Sequence, residues 1–260
     1  MRYISPLIIP LLFILLFSAG LLAEEGTDLF SGLESKKEFA EEISTLIESA
    51  WTKWQDSVTV KDVDVEGSRG QLSSGDMGRT VLTAKSIMSN FSRKGKSREY
   101  IECVRAISGA LENGMRKWQR GYSHGNIPFP QGASSTYTLT PCTNVPVTVA
   151  SGSSTGDRAM TEDELYNYML YRAPKNEGDV LIVFRGFAKA ISGCFNDWKK
   201  SCLISEITAS GGIAPPPAPM GQGPGPVKGA KGKGGKLEGP YIDRSRICSR
   251  MVEYFEGEGK

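Results

Sequence analysis

Apolar residues recur every three or four positions along most of the chain, with polar residues between them. This is the spacing of one face of an α-helix. The clearest example lies between Ser97 and Arg120, where six apolar residues form one stripe that ends at Trp118. The same spacing predicts five further helices. The sequences Ser35–Glu38 and Thr161–Glu164 are typical of capping boxes at the start of two of them. The five predicted helices cover residues 36–56, 76–92, 161–172, 179–198 and 240–256.

Short runs rich in valine and isoleucine predict strands between these helices. In Val58–Val65 the alternation of apolar and polar residues shifts by one position at Lys61 and Asp62, which a β-bulge would accommodate. Leu203–Ile207 predicts a second strand, and residues 121–135 are rich in turn-forming residues. The pattern as a whole predicts an α+β fold, predominantly helical, with short antiparallel β segments.

Three predicted helices end in the same way. Trp54, Trp118 and Trp198 each close an apolar stripe, and a small residue precedes each tryptophan by four positions. Two interpretations remain open, an ancestral repeat and a chance similarity of three core helices, because amphipathic helices share apolar positions in any case. Either interpretation predicts that the tryptophans cover the end of the core and that a neighbouring backbone approaches the small residues closely. The small residues are Ala50, Gly114 and Cys194.

The N-terminus has the pattern of an export signal. Arg2 precedes an apolar run at residues 7–17, and Ala23 is followed by two glutamates. We therefore expect residues 1–23 to be a cleaved signal peptide, which places the mature protein outside the cell, in the periplasm or in the cell envelope. The alternative is a retained membrane anchor, since the stretch from residue 7 to 23 is about long enough to span a bilayer.

The composition changes near the C-terminus. Glycine and proline are concentrated in residues 211–239, and so few apolar residues occur there that burial would not offset the entropy of ordering the chain. The sequence therefore predicts a core domain at 24–210, a Pro/Gly/Lys-rich linker at 211–239, and a C-terminal amphipathic helix within 240–260. We expect this last helix to dock on the core or on a second subunit.

The overall charge excludes one class of function. The chain has 31 basic and 29 acidic residues and a net charge of +2, so no general field steers nucleic acid or an anionic membrane toward it. A local exception is the predicted linker, whose lysines form a cationic run without an aromatic residue for base stacking. This run is a candidate surface for anion or surface binding. Its members are Lys228, Lys231, Lys233 and Lys236.

Five cysteines follow the predicted signal peptide. In an oxidising compartment they allow two disulfides and one free thiol, but the spacing does not determine the pairing, and burial as small apolar side chains is the alternative. With one histidine and no Cys-x-x-Cys pair, the sequence predicts no zinc site and no cofactor. The cysteines are Cys103, Cys142, Cys194, Cys202 and Cys248.

Two motifs carry candidate chemistry. Gly152–Gly156 matches the Gly-x-Ser-x-Gly pattern of hydrolases, with Ser154 as nucleophile and His124 as base, although the histidine precedes the serine and no helix follows at once. Asp62, Asp64 and Glu66 partly match a calcium-binding loop, but the bidentate glutamate of such a loop is missing. A serine-rich loop and a charged edge strand are the alternative interpretations.

The function predicted first is therefore an exported, non-enzymatic structural or interaction protein that binds a protein partner or assembles with itself. This expectation rests on the export signal, the scarcity of catalytic side chains and the tryptophan-ended helices. A secreted hydrolase that uses Ser154, or a cysteine, with His124 is the first alternative. An anion- or surface-binding module that acts through Lys228–Lys236 is the second.

Overall fold

The protein is described by a computed structural model that covers residues 30, 32–130, 139–173, 177–212 and 228–258. The predicted signal peptide and residues 213–227 of the predicted linker lie outside these residues. Within the described ranges, no helix combines the length and the apolar character needed to cross a membrane. The fold mixes helix and sheet.

The described ranges contain three long helices and three shorter ones, and 3₁₀ turns cover Met88–Asn90, Val149–Ser151 and Asp157–Met160. The long helices are the ones that carry the tryptophans. In chain order the helices are α1 (Leu33–Ser57), α2 (Ala84–Ile87), α3 (Arg98–Gly121), α4 (Glu162–Arg172), α5 (Asp179–Ser201) and α6 (Arg244–Glu258).

The strands of the described ranges are, in chain order, β1 (Thr59–Val60), β2 (Val63–Glu66), β3 (Arg69–Leu72), β4 (Tyr122–Pro128), β5 (Leu139–Thr143), β6 (Val147–Thr148), β7 (Ser153–Ser154), β8 (Leu203–Ser205), β9 (Thr208–Gly211), β10 (Ala230–Lys233) and β11 (Gly235–Glu238). They pair antiparallel in two sheets, one of four strands in the order β1-β11-β8-β6 and one of seven in the order β5-β9-β10-β2-β3-β4-β7.

The three long helices stop at the same distance from their tryptophans. Val58, Tyr122 and Cys202 each follow a tryptophan by four positions, and each is extended, with φ between −71° and −79° and ψ between 130° and 136°. A strand begins at this residue or at the next one. A short helix also packs between each pair of long helices, α2 between α1 and α3, α4 between α3 and α5, and α6 between α5 and α1. The likeness of the three helices thus extends to their surroundings.

The ends of the long helices meet in one buried aromatic junction. The ring centroids of Trp54 and Trp118 are both 5.7 Å from that of Trp198, and the three indoles are at most 3% exposed. Trp51 and Phe195 complete the junction, with centroids 5.2 and 5.8 Å from Trp198. These spacings lie in the range of favourable aromatic pairs. The prediction that the tryptophans cover the core is therefore confirmed.

Two indole N–H groups of the junction are satisfied by glutamines that follow a tryptophan. Trp54 Nε1 donates to Gln119 Oε1 at 3.2 Å, and Trp198 Nε1 donates to Gln55 Oε1 at 2.8 Å. Gln119 in turn donates to the carbonyls of Met77 and Thr80 at 2.9 and 2.8 Å. Each glutamine therefore links two of the segments that converge on the junction.

Small residues before the tryptophans permit close packing, most clearly at Gly114. A Cβ atom there would lie 2.6 Å from Met160 Sδ and 2.9 Å from the carbonyl oxygen of Ala159. Since real Cβ atoms essentially never approach other atoms so closely, the backbone at 159 can lie against α3 only because residue 114 is glycine. The expected close backbone approach is confirmed at this position.

Two predicted helices differ from the observed ones. Residues 76–92 are helical only from Ala84 to Asn90, because Gly78 has a φ of 73° and Thr83 caps the helix through a hydrogen bond from Ser86 N–H. The C-terminal helix begins at Arg244 instead of residue 240, with the Asp243 carboxylate accepting from Ser245 N–H at 2.8 Å. The apolar spacing in these segments reflects burial in extended chain as well as in helix.

Helix starts also differ from those predicted. Helix α1 begins upstream of the predicted capping box, after Gly32, and Ser35 Oγ bonds the Gly32 carbonyl at 3.1 Å. Thr161 precedes α4 as expected but makes no side-chain capping bond. By contrast, α3 begins after Ser97, whose Oγ accepts from Tyr100 N–H at 3.1 Å, so the predicted bounds of this helix are correct within one residue.

Two predicted loop regions contain strands. The turn-rich segment at 121–135 includes β4, and the C-terminal part of the predicted linker at 211–239 forms β10 and β11. The two strands belong to different sheets, their glycines Gly232 and Gly235 are buried, and a Cβ on Gly232 would be 2.7 Å from Ile207 Cγ2. Glycine here allows close packing between sheets, whereas the composition alone resembles a flexible linker.

Candidate functional site

His124 lies on β4 and is 3% exposed. Its Nδ1 accepts a hydrogen bond from Asn126 N–H at 3.2 Å, so the proton of the neutral ring is on Nε2. Nε2 lies 2.8 Å from Ser151 Oγ, which donates its own proton to the Thr148 carbonyl at 2.6 Å. Burial lowers the pKa of the imidazole. In this arrangement the histidine donates to the serine and does not take its proton.

Ser154 is held by different partners. Its Oγ donates to the Trp118 carbonyl at 2.6 Å and accepts from Gly156 N–H at 2.9 Å. It therefore satisfies the C-terminal end of α3 and closes the following turn. The structure brings His124 to Ser151 and not to Ser154, and the strand–turn–helix context that a nucleophilic serine requires is replaced by a 3₁₀ turn at Asp157–Met160.

The five cysteines are all free thiols in the structure. Burial raises the pKa of Cys103 and of Cys202 to about 12, which leaves both protonated at neutral pH. Cys194 Sγ lies 3.5 Å from Arg250 Nη1, but burial still raises its pKa. Cys103, Cys194 and Cys202 are thus typical of buried small apolar side chains, while Cys142 and Cys248 are half-buried.

The carboxylates of the calcium hypothesis do not converge. Asp62 has a φ of 45° at the point where the chain passes from one sheet to the other, while Asp64 and Glu66 lie on β2 with exposed side chains. The carboxylate of Asp64 is paired with Lys231 on the neighbouring strand. Among the residues that the structure describes, no three His, Cys, Asp or Glu side chains are arranged to hold a metal ion.

The cationic run is part of the sheets. Lys231 pairs with Asp64, and Lys236 Nζ lies 2.6 Å from Glu206 Oε2. Lys228 and Lys233 are exposed. Two of the four lysines are thus engaged by carboxylates across the strands, which halves the positive charge available to an external anion.

A groove of about 520 Å³ lies between α3 and α4. Its floor is formed along one side of α3, from Glu102 through Gly109 to Arg116, and its other wall includes Tyr168 and Arg172 of α4. Such volumes are typical of ligand sites. The groove is on the side of α3 that the apolar stripe leaves uncovered.

Arginines outnumber carboxylates in this groove. Arg105, Arg116 and Arg172 line it together with Glu102 and Glu112. The Glu102 carboxylate accepts from Arg98 Nε at 3.0 Å, which compensates its charge from outside the groove. The Glu112 carboxylate accepts from Ala84 N–H at 2.7 Å and pairs with Arg116. Both carboxylates are thus neutralised by residues of the protein.

The remaining arginines are exposed. Arg105 makes no hydrogen bond or ion pair with any residue in the described part of the chain, and the Arg172 guanidinium lies 5.4 Å from the centre of the Tyr168 ring. The sequence analysis did not single out these residues. The sequence does contain a pattern for the α3 side of the groove, since Arg98, Arg105 and Arg116 are seven and eleven residues apart and so share one face of the helix. The opposite wall on α4 depends on tertiary packing and has no such pattern.

Comparison of the chain with protein-family models, with curated proteins and with solved structures finds no match. The functional interpretation therefore rests on the residues and their geometry.

Proposed function

We propose that the protein is an exported, non-enzymatic structural or interaction protein of the cell envelope or extracellular space, which binds a protein partner or a second copy of itself. The observation that carries this proposal is the hydrogen bonding of His124. Its Nδ1 accepts from a backbone N–H, and its Nε2 faces a serine whose proton is directed to a carbonyl. A base needs a free lone pair directed at the nucleophile.

The arrangement of the long helices supports the same proposal. They use their largest aromatic residues to fill a junction at which Trp51, Trp118 and Trp198 are at most 3% exposed. Such a core gives a rigid scaffold that presents its outer surfaces to partners. Export is supported by the N-terminal sequence, in which an apolar run ends at Ala23 before Glu24.

The hydrolase alternative can be tested with the purified protein and an activated ester such as p-nitrophenyl acetate. We expect hydrolysis at the same rate with the unmodified protein, with Ser154→Ala and with His124→Gln. If Ser154→Ala or His124→Gln hydrolyses the ester more slowly than the unmodified protein, the non-enzymatic proposal is contradicted. Circular dichroism of each variant controls for folding.

Export is tested separately, by the intact mass of the protein recovered from its native host. The proposal expects a chain that begins at Glu24 and is found outside the cytoplasm. A chain that retains Met1 and remains with the membrane would instead establish the anchored alternative.

A further inference from the structure

We propose that the groove between α3 and α4 binds a short acidic segment of a protein partner in an extended conformation. The inference rests on the proposed interaction function and names the chemistry of the partner. It follows from the shape of the groove, from its unbalanced charge and from the position of Gly109.

The shape of the groove favours an elongated ligand. The α3 residues that line it begin at Glu102 and end at Arg116, which is about 21 Å along a helix that rises 1.5 Å per residue. An extended peptide advances roughly 3.3 Å per residue, so about six residues span this length. A compact ion such as phosphate would contact only a fraction of it.

The charge of the groove favours carboxylates. Glu102 and Glu112 are compensated by Arg98, Arg116 and the Ala84 N–H, so Arg105 and Arg172 provide the uncompensated charge. Guanidinium groups bind carboxylates through paired hydrogen bonds and need not be fully buried to do so. The two arginines lie on different helices, which suits a ligand that carries more than one acidic side chain.

Gly109 leaves space at the middle of the groove. A Cβ atom at this position would lie 3.5 Å from Tyr168 Cε1, which is ordinary contact, so alanine fits here without displacing the ring. A longer side chain would take up space in the groove beside Tyr168. Residue 109 therefore offers a way to block the groove without changing its charge.

The test uses the full mature chain and a fluorescein-labelled hexaglutamate peptide, with binding followed by fluorescence anisotropy at low salt. We expect binding that weakens as sodium chloride is raised, since the contacts are exposed ion pairs. Arg105→Glu combined with Arg172→Glu should weaken binding roughly tenfold or more, because each reversal replaces attraction by repulsion. Arg93→Glu is the matched control, an exposed arginine outside the groove, and should leave the affinity within about twofold.

Gly109→Leu should weaken binding and Gly109→Ala should retain it, with thermal unfolding as the check that both variants fold. The proposal is overturned if hexaglutamate does not bind, or if Arg93→Glu weakens binding as much as the groove variants do. It is also overturned if inorganic phosphate at equal concentration displaces the peptide, because that result would indicate a site for a single oxyanion. None of these results changes the expected ester hydrolysis or the expected mature N-terminus. The failure of this inference can therefore be distinguished from the failure of the proposed function.

Discussion

Helix α1 with the strand after it and helix α3 with the strand after it share a tryptophan, the glutamine that follows it and the geometry of the helix end. We call each long helix and the strands that follow it a unit. The α1 and α3 units differ immediately downstream of the helix. After α1 the chain reaches Asp62, eight residues past Trp54, with a φ of 45°, and passes from the four-stranded to the seven-stranded sheet. After α5 the same crossing occurs at Glu206, eight residues past Trp198, with a φ of 56°. After α3 the strand β4 continues without a crossing.

Two candidate functional features lie in the α3 unit, whereas the other two units contribute to packing. The strand after α3 stays within one sheet and holds His124, and the polar face of α3 forms the groove with its uncompensated arginines. The α1 and α5 units, in contrast, use their strands to join the two sheets. The α3 unit thus differs from the other two in the same features that carry the proposed binding site.

The largest expected effect tests whether the three units share one junction. We expect Trp54→Ala, Trp118→Ala and Trp198→Ala each to lower the free energy of unfolding by about 3–5 kcal/mol, since each removes a large buried side chain. Urea denaturation followed by circular dichroism measures this. A Trp118 variant that is milder than the other two by several kcal/mol would show that α3 lies outside the junction.

A smaller effect tests the glutamines. Gln119→Leu leaves the indole N–H of Trp54 with only the Thr80 carbonyl at 3.2 Å and removes the donors to Met77 and Thr80, so we expect a loss of about 1–3 kcal/mol. Lys199→Leu, at the equivalent position of α5, breaks a part-exposed pair with Asp157 and a cation–π contact with the Phe195 ring, and should cost about 1 kcal/mol or less. Equal costs in the same denaturation experiment would contradict the distinction between the two positions.

The sheet crossing itself can be tested with glycine. At Asp62 the positive φ favours glycine, so Asp62→Gly should stabilise the protein by about 0.5–1 kcal/mol. Asn126 occupies the equivalent position after Trp118, at the register shift between β3 and β4, but its φ is not positive, so glycine should instead cost about 0.5–1 kcal/mol. Thermal unfolding of both variants gives the signs, and identical signs would remove the proposed difference between the units.

A smaller effect concerns the pH dependence of the free energy of unfolding. Burial lowers the pKa of His124 below its ordinary value of 6.5, so the folded state favours the neutral ring. The stability that follows from this is fully present above pH 6.5 and is lost as the pH falls through the folded pKa. His124 is the single histidine, so one NMR signal reports its titration, and His124→Gln should remove this part of the pH dependence. A measured pKa above 6.5 would contradict the buried, neutral assignment.

Local signals predicted some elements well. Ser97 and the stripe that follows it specify α3 because both the cap and the buried face are encoded within the helix itself. The segment after Met77 has the same spacing but becomes helical only at Ala84, since Gly78 takes a positive φ and residues such as Leu82 reach the core without a helix. The strand β10 escaped prediction because Gly232 packs against Ile207, and such distant contacts leave no local pattern.

The candidate sites show the same limit. The sequence identified His124 and Ser154 but not the partner Ser151, which neighbours the histidine only through the turn that follows β6. The groove depends on the packing of α4 beside α3, so Arg105 and Arg172 become one site only in the folded protein. Residue types along the chain thus indicate which chemistry is present, whereas the antiparallel packing decides which groups meet.

The ends of the long helices meet at a buried junction in which glutamines hydrogen-bond the indoles of Trp54 and Trp198, and a double-mutant cycle between Gln55 and Trp198 tests this arrangement most directly. These residues are far apart in sequence, and their side chains are joined by a hydrogen bond of 2.8 Å. Gln55→Met and Trp198→Phe should each leave the partner's polar atom unpaired, whereas the double variant leaves neither. We predict a coupling free energy of about 0.5–3 kcal/mol from urea denaturation. Strictly additive losses would contradict the junction.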